Sequence, residues 1–253
     1  MDLAWSLANQ AVDLDPDLPE AQSALGLVRM FRNWDWDGAL ESLDSAVEIS
    51  LSYEFARRGR ANVLAFLGRF DEARDDVDHA LIVDPLNAQV THMAGQVYDW
   101  SGNTDRAAML FQEATALDSA NPNGRHSLGL LKCKSGDVDE GVALLKNALQ
   151  LSDDDPLIVG DLGWCFAASG SVDEARALLA DLTERTALEW VSPISLARIH
   201  IGLGEEDEAL RQLELAYEQR AYRIVALDTE SRWDPIRGKP RFQQLRRAVG
   251  LPN

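Results

Sequence analysis

Small residues return every 34 positions along this chain. Ala39, Ala73, Ala107, Gly141, Ala175 and Ala209 form one series, and Ala46, Ala80, Ala114, Ala148, Leu182 and Ala216 form a second, seven residues downstream. Gly68, Gly102, Gly136, Gly170 and Gly204 form a third at the same interval, while Ala4 and Ala11 carry the first two series back with a spacing of 35. Three registers that agree over five or six units confine the chain to a stacked repeat. Each unit builds one supersecondary structure and buries its apolar face on the next.

One unit, residues 88–121, shows what the small residues do. A helix-length segment from Ala88 to Trp100 meets Ser101-Gly102-Asn103, where glycine suits a tight turn or a left-handed helix end. A second segment follows from Thr104 to Leu117, with Thr104 or Asp105 able to cap it. Gly95 and Ala107 let the two backbones approach, Tyr98, Phe111 and Leu117 fill the space around that contact, and Ala114 receives the next unit. The same order recurs in Gly68-Arg69-Phe70-Asp71-Glu72-Ala73 and in Gly170-Ser171-Val172-Asp173-Glu174-Ala175. No strand-like alternation interrupts it, so the expected class is all-α.

With these features the sequence resembles the tetratricopeptide repeat family, whose period is 34. Leu25-Gly26, Gly95 with Tyr98, Leu128-Gly129 and Leu162-Gly163 match the first helix of that repeat. Ala107 with Phe111 and the pairs Asp15-Pro16 and Asp84-Pro85 match the rest. The chain departs from the pattern in lacking the opening Trp, in placing Gly141 and Leu182 where alanines belong, and in carrying Ser119 and Asp153 where proline is expected. The resemblance implies a right-handed superhelical solenoid of stacked antiparallel helix pairs, about 6.5 repeats plus a C-terminal capping helix. The array then spans 1–221, with a lone second helix in 1–18 and repeats at 19–53, 54–87, 88–121, 122–155, 156–189 and 190–221. The cap follows at 222–253. A lone second helix is expected to be the remainder of a pair whose first half lies upstream.

Two further stretches, Asn33-Trp34-Asp35-Trp36-Asp37 and the tail around Arg232-Trp233-Asp234-Pro235, resemble the C-terminal repeat region of bacterial multidomain regulators. There the repeats accompany a kinase, a nucleotide cyclase or a winged-helix domain. The tail's expected task is to cover the apolar end of the stack, with Phe242 and Leu245 inside and the arginines outward.

Charge narrows the partners. The net charge is −18, with 42 acidic against 24 basic side chains, and such a surface repels phosphate backbones, so no nucleic acid is expected as a ligand. Basic residues are arginines apart from Lys132, Lys134, Lys146 and Lys239. Two explanations of this acidic, lysine-poor composition stay open: a high-salt (halophile) habitat, or a GC-rich genome. The charge is also uneven, because from Arg220 onward eight basic side chains stand against three acidic ones. No apolar stretch approaches the ~18 residues of a membrane span, and Met1–Gln10 lacks the layout of a secretory signal. Cys133 and Cys165 are framed neither for a metal knuckle nor for a disulfide scaffold, which points to a reducing, cytoplasmic setting.

No catalytic constellation and no phosphate loop is found, so an enzyme is not expected, nor a cofactor. Asp153-Asp154-Asp155 and Glu205-Glu206-Asp207 lie at helix starts, where carboxylates favour the exposed amides. His92 and His126, and Asp99 and Cys133, are each 34 apart. Seven residues of helix separate a histidine from its partner by ~10.5 Å, too far to share one ion, so a polar groove lining is expected rather than a metal site.

In the resembled family the first helices line a concave face that takes peptides. The residues expected there are Arg58, Asn62, His92, Gln96, Asp99, Trp100, His126, Leu130, Trp164 and Arg198. Arg58 and Asn62, one turn apart, are placed to grip a carboxylate together. The expected function is a protein-interaction scaffold for a protein or peptide ligand. The alternative is a homo-oligomer in which the acidic body of one copy meets the basic cap of another.

Overall fold

A computed structural model describes residues 2–252, and every regular element among them is helical. A lone helix, α1 (Asp2–Leu14), is followed by six helical pairs. They are α2 (Pro19–Val28) with α3 (Trp36–Ile49), α4 (Glu54–Phe66) with α5 (Phe70–Val83), and α6 (Ala88–Trp100) with α7 (Thr104–Leu117). Then come α8 (Pro122–Ser135) with α9 (Val138–Leu151), α10 (Pro156–Ala168) with α11 (Val172–Arg185), and α12 (Pro193–Gly202) with α13 (Glu206–Glu218).

The turn inside each pair after the first is set by one glycine. Gly68, Gly102, Gly136, Gly170 and Gly204 have φ between +74° and +91°, a region that costs side-chain-bearing residues energy. Each turn is closed by the same wide backbone bond, such as Asn103 N to Tyr98 O at 2.8 Å and Ser171 N to Phe166 O at 2.9 Å. Five of the helix starts, those of α3, α6, α7, α8 and α10, are capped by a short polar side chain. Asn103, rather than Thr104 or Asp105, caps α7 by accepting from Arg106 N at 3.3 Å, and Asn87 caps α6 by accepting from Gln89 N at 3.0 Å.

The stacking contacts run through the small residues. Ala39, Ala73, Ala107, Ala175 and Ala209 have no exposed surface. A Cβ added at Gly95 would sit 2.5 Å from the Phe111 ring, so the large side chain on α7 occupies space that only glycine leaves. Between α10 and α12 the contact reaches backbone: a Cβ at Gly160 would lie 2.7 Å from the Ser195 carbonyl oxygen, and one at Gly163 would lie 2.6 Å from Ile199. These two glycines lay α12 directly on α10.

After α13 the chain does not simply cover the open end of the stack. A 3-10 turn (Tyr222–Ala226), a second one (Ser231–Trp233), α14 (Asp234–Arg237) and α15 (Pro240–Ala248) fold back toward the first helical pair and α4. Ile224, Trp233, Phe242 and Val249 enter one hydrophobic core with Met30, Trp36, Leu43 and Phe66. The Trp36 indole Nε1 donates to Val249 O at 2.8 Å, and the Trp34 ring stacks on Tyr217 with centroids 5.0 Å apart. Trp34 takes φ +54° at the end of a π-helical turn, Arg29–Asn33, which re-aims the aromatic pair of α3 at the tail. The expectation of outward arginines is corrected here: Arg232 is 5% exposed, because its partners lie inside the array.

Substitution along α7 separates stacking from helix propensity, since Ala107 is fully buried and Ala116 is exposed. Ala107→Leu is expected to cost at least about 1–3 kcal/mol by overpacking, whereas Ala116→Leu should stay within about 0.5 kcal/mol of the parent. Urea denaturation of the two variants measures the difference.

Candidate functional site

The first helices α4, α6, α8, α10 and α12 share one face, and the structure divides it into two halves. Toward α10 and α12 the face is occupied by the chain's own C-terminal segment. Toward α4 and α6 it retains cavities.

In the occupied half the centre is Asp161. It is the only charged residue of α10 and is 1% exposed. Three groups contact its carboxylate: His126 Nε2 at 2.6 Å and Arg198 Nη1 at 3.0 Å on Oδ2, and Arg232 Nη1 at 2.6 Å on Oδ1, while Glu230 joins the cluster through the two arginines. Glu230 accepts from Arg198 Nη2 at 2.7 Å and lies 3.0 Å from Arg232 Nε. Arg232 also stands over the Trp164 ring, 4.9 Å from its centroid. Burial works to raise the Asp161 pKa, yet the Arg198 and Arg232 guanidiniums, together with His126, hold it well below the usual carboxylate range. For Glu230 burial again opposes ionisation, and the same two arginines keep its pKa lowered. Two anions and two guanidiniums thus balance inside the fold and tie residues 230–232 to α8, α10 and α12. Arg198 Nε and Arg232 Nη2 find no protein partner, so the cluster is not fully satisfied.

Of the residues expected to line an open groove, His126, Trp164 and Arg198 therefore belong to an internal contact. Arg198 is 1% exposed and offers nothing to an outside ligand; that expectation is corrected. Asp99 is paired with Lys134 Nζ at 2.8 Å, and Leu130 is half-buried on α8.

The open half keeps the others. Arg58 turns to Gln89, donating from Nη1 to Oε1 at 3.1 Å, and lies 5.1 Å from the Phe55 centroid. It does not pair with Asn62. With Gln89, His92 and Asn123 it lines a cavity of about 180 Å³ at the N-terminal ends of α4, α6 and α8. His92 Nε2 lies 2.9 Å from Ser127 Oγ. Burial, with some repulsion from His126 and Arg223, pulls the His92 pKa down to about 3, so the ring is neutral throughout the physiological range. Asn62, Gln96 and Trp100 line a second cavity under the tail.

The His92, His126, Asp99 and Cys133 constellation does not assemble. Each member has a different partner, and among the described residues no three His, Cys, Asp or Glu side chains gather as metal ligands. Cys133 is bonded to Cys165 across α8 and α10, with Cα atoms 5.7 Å apart. This corrects the expectation that the two cysteines are not framed for a disulfide. No helix among the described residues is long and apolar enough to cross a membrane.

The sequence reading missed Asp161, Glu230 and Arg232. A signal for the first was present, because a lone carboxylate in the apolar run Pro156–Ala168 must find a cation once the helix is buried. Nothing local in the sequence pointed to the other two as its partners.

Comparison with known proteins identifies the repeat. The family described as tetratricopeptide repeat matches residues 58–122, 133–189 and 194–214. Among solved structures the chain is similar to a tetratricopeptide repeat protein from Parabacteroides merdae, with TM-score 0.64 and 16% identity over 96% of this chain and 89% of that one. It is also similar to TTC0263, a thermophilic TPR protein of Thermus thermophilus, with TM-score 0.64 and 20% identity over 73% of this chain and 98% of that one. A chain of the APC/C hetero-tetramer Cut9–Hcn1 matches with TM-score 0.66 and 16% identity, over 98% of this chain and 45% of its own length. At these identities the likeness is one of fold.

Replacing Asp161 with Asn leaves two buried guanidiniums short of an anion, which is expected to cost about 3–5 kcal/mol in urea unfolding. The pH dependence follows from the sign of the shift. The Asp161 contribution is complete above the ordinary carboxylate value of about 4 and fades as pH falls through its lower folded value. An acid titration of stability should show that loss in the parent and not in Asp161→Asn.

Proposed function

Because this chain carries tetratricopeptide repeats, we propose that it works as a protein-interaction scaffold whose ligand-accessible surface is the half of the first-helix face on α4, α6 and α8. Repeats of this family are generally interaction scaffolds and are typically not enzymes. The observation that carries the reading is the division of that face. Asp161, Trp164 and Arg198 are taken by the C-terminal segment, while Arg58, His92, Gln89 and Asn123 border a cavity. A peptide in extended form fits such a border, with a side-chain or terminal carboxylate on Arg58. The chain's acidic character elsewhere disfavours acidic ligands at other places and leaves this patch as their best landing point.

The same reading keeps the chain as the recognition part of a larger bacterial regulatory protein. The alternative, self-assembly of acidic body and basic cap, is the weaker reading, because three of the cap's cations already have partners within one chain. Arg241 pairs with Glu214 at 2.7 Å, Lys239 with Glu206 at 2.6 Å and Arg246 with Asp228 at 2.6 Å.

A peptide-display selection against the full chain tests the proposal. Enriched peptides should lose at least tenfold in affinity against Arg58→Glu, about the value of one charge-assisted hydrogen bond, and keep their affinity for Arg176→Glu on α11, far from the cavity. Equal binding to both variants would refute this placement of the ligand.

A further inference from the structure

Where the C-terminal segment crosses α4 and α6 it roofs a cavity of about 160 Å³, with Tyr222, Arg223, Val225 and Ala226 on the tail side. The cavity therefore exists only in the closed fold. Phe31, Phe66, Trp100 and Tyr222 wall it. Ring contacts hold those walls, with Phe66 and Trp100 centroids 5.4 Å apart and Phe31 meeting Tyr222 edge-on at 6.2 Å. Three polar side chains share the lining: Asn62, Gln96 and Arg223. Neither amide hydrogen-bonds within the described protein, and the hydrogen bond that Arg223 makes runs from Nε to Tyr222 Oη at 3.0 Å, which leaves both Nη groups without a hydrogen bond among the described residues. Among the described residues no carboxylate lines this cavity. In a chain of net charge −18, a lining with one guanidinium and no acid is a distinct chemical environment, with Glu230 the charge that Arg223 feels from outside it.

Each part of the lining selects something. An apolar chamber of about 150 Å³ accepts a benzene-sized group. A guanidinium with free Nη groups takes a carboxylate through charge-assisted, paired hydrogen bonds. A purely hydrocarbon ligand would leave the two amides and the guanidinium unpaired, and a cation would be repelled. We propose that this cavity binds a small carboxylate bearing one aromatic ring or branched alkyl group, with the apolar group among Phe66, Trp100 and Tyr222 and the carboxylate on Arg223. The carboxylate is either a free acid or the carboxyl-terminal residue of a partner chain. For the second source the proposal rests on the scaffold reading; for the first it does not.

The ligand touches both the array and the tail, so it stabilises the closed fold in proportion to its occupancy. The test titrates the full chain with four probes: 3-phenylpropionate, its primary amide, an N-acetylated tripeptide ending in phenylalanine with a free carboxylate, and the same tripeptide amidated. Calorimetry gives the affinity, and the Trp100 indole and Asn62 and Gln96 side-chain amide NMR signals give the location. The expected result is saturable one-to-one binding of at least one free carboxylate that shifts those signals and raises the melting temperature, with its amide at least tenfold weaker. Arg223→Gln should weaken the carboxylate at least tenfold while circular dichroism stays unchanged, and Asn62→Ala gives a second reading should Arg223→Gln fold poorly. Binding by the free acid alone supports a metabolite source, and binding by the tripeptide alone supports a chain end. Equal affinity for acid and amide, indifference to both substitutions, or no saturation by any probe overturns the proposal. A probe that moves Gln89 and Asn123 but leaves the Trp100 indole still also overturns it, and in that case the scaffold reading survives.

Discussion

Close contact between helices at alanine and glycine sets everything else in this molecule. When Ala39, Ala73, Ala107, Ala175 and Ala209 are wholly buried, the helices of successive pairs approach to a distance fixed by backbone and not by side-chain length. The repeat then has one rise and one direction, and the first helices must line up on a common face. At Gly160 and Gly163 α12 lies directly against α10, and the consequence is functional. It carries Arg198 on α12 to within 3.0 Å of Asp161 on α10, which makes a buried charge cluster available to a third element.

That third element is the chain's own tail. Residues 230–232 add an acid and a base to the cluster, and the aromatic and aliphatic side chains beyond them fill the space between the last pair and the first, with α4. A buried ion cluster contributes little net stability, since desolvation offsets attraction, but it penalises misplacement strongly. Here the division of labour is clear. Trp233, Phe242 and Val249 supply the apolar burial that drives closure, and Asp161 fixes where the tail comes to rest. The solenoid is consequently not an open cradle. Half of the surface on which such folds present ligands is internal, and the remaining half is bounded on one side by the tail.

How much of this was legible in the sequence follows from range. The helical pairs, their glycine turns and the buried alanines rest on contacts within or between neighbouring units, and a 34-residue period announces them directly. The cap of α7 was read to within a residue: Asn103 takes the role given to Thr104 or Asp105, because a residue before the helix holds its side chain over the free amides better than one inside it. The tail's destination was not legible. Trp36 and Val249 are 213 residues apart, and no periodicity encodes a contact made once. For the same reason Arg198 and Trp164 read as groove residues by position in the repeat, although their partners arrive from outside the repeat. The Cys133–Cys165 bond escaped notice because its 32-residue spacing falls off the period, so the two positions did not read as neighbours.

Closure of the tail onto the first-helix face is the claim on which the division of the site depends, and native-state amide hydrogen exchange tests it most directly. If the tail is part of the core, the amides of Ile224, Phe242, Leu245 and Val249 exchange as slowly as those of Leu110 and Leu145 inside the array. Tail amides that exchange at the rate of fraying ends, while the array stays protected, would contradict the account.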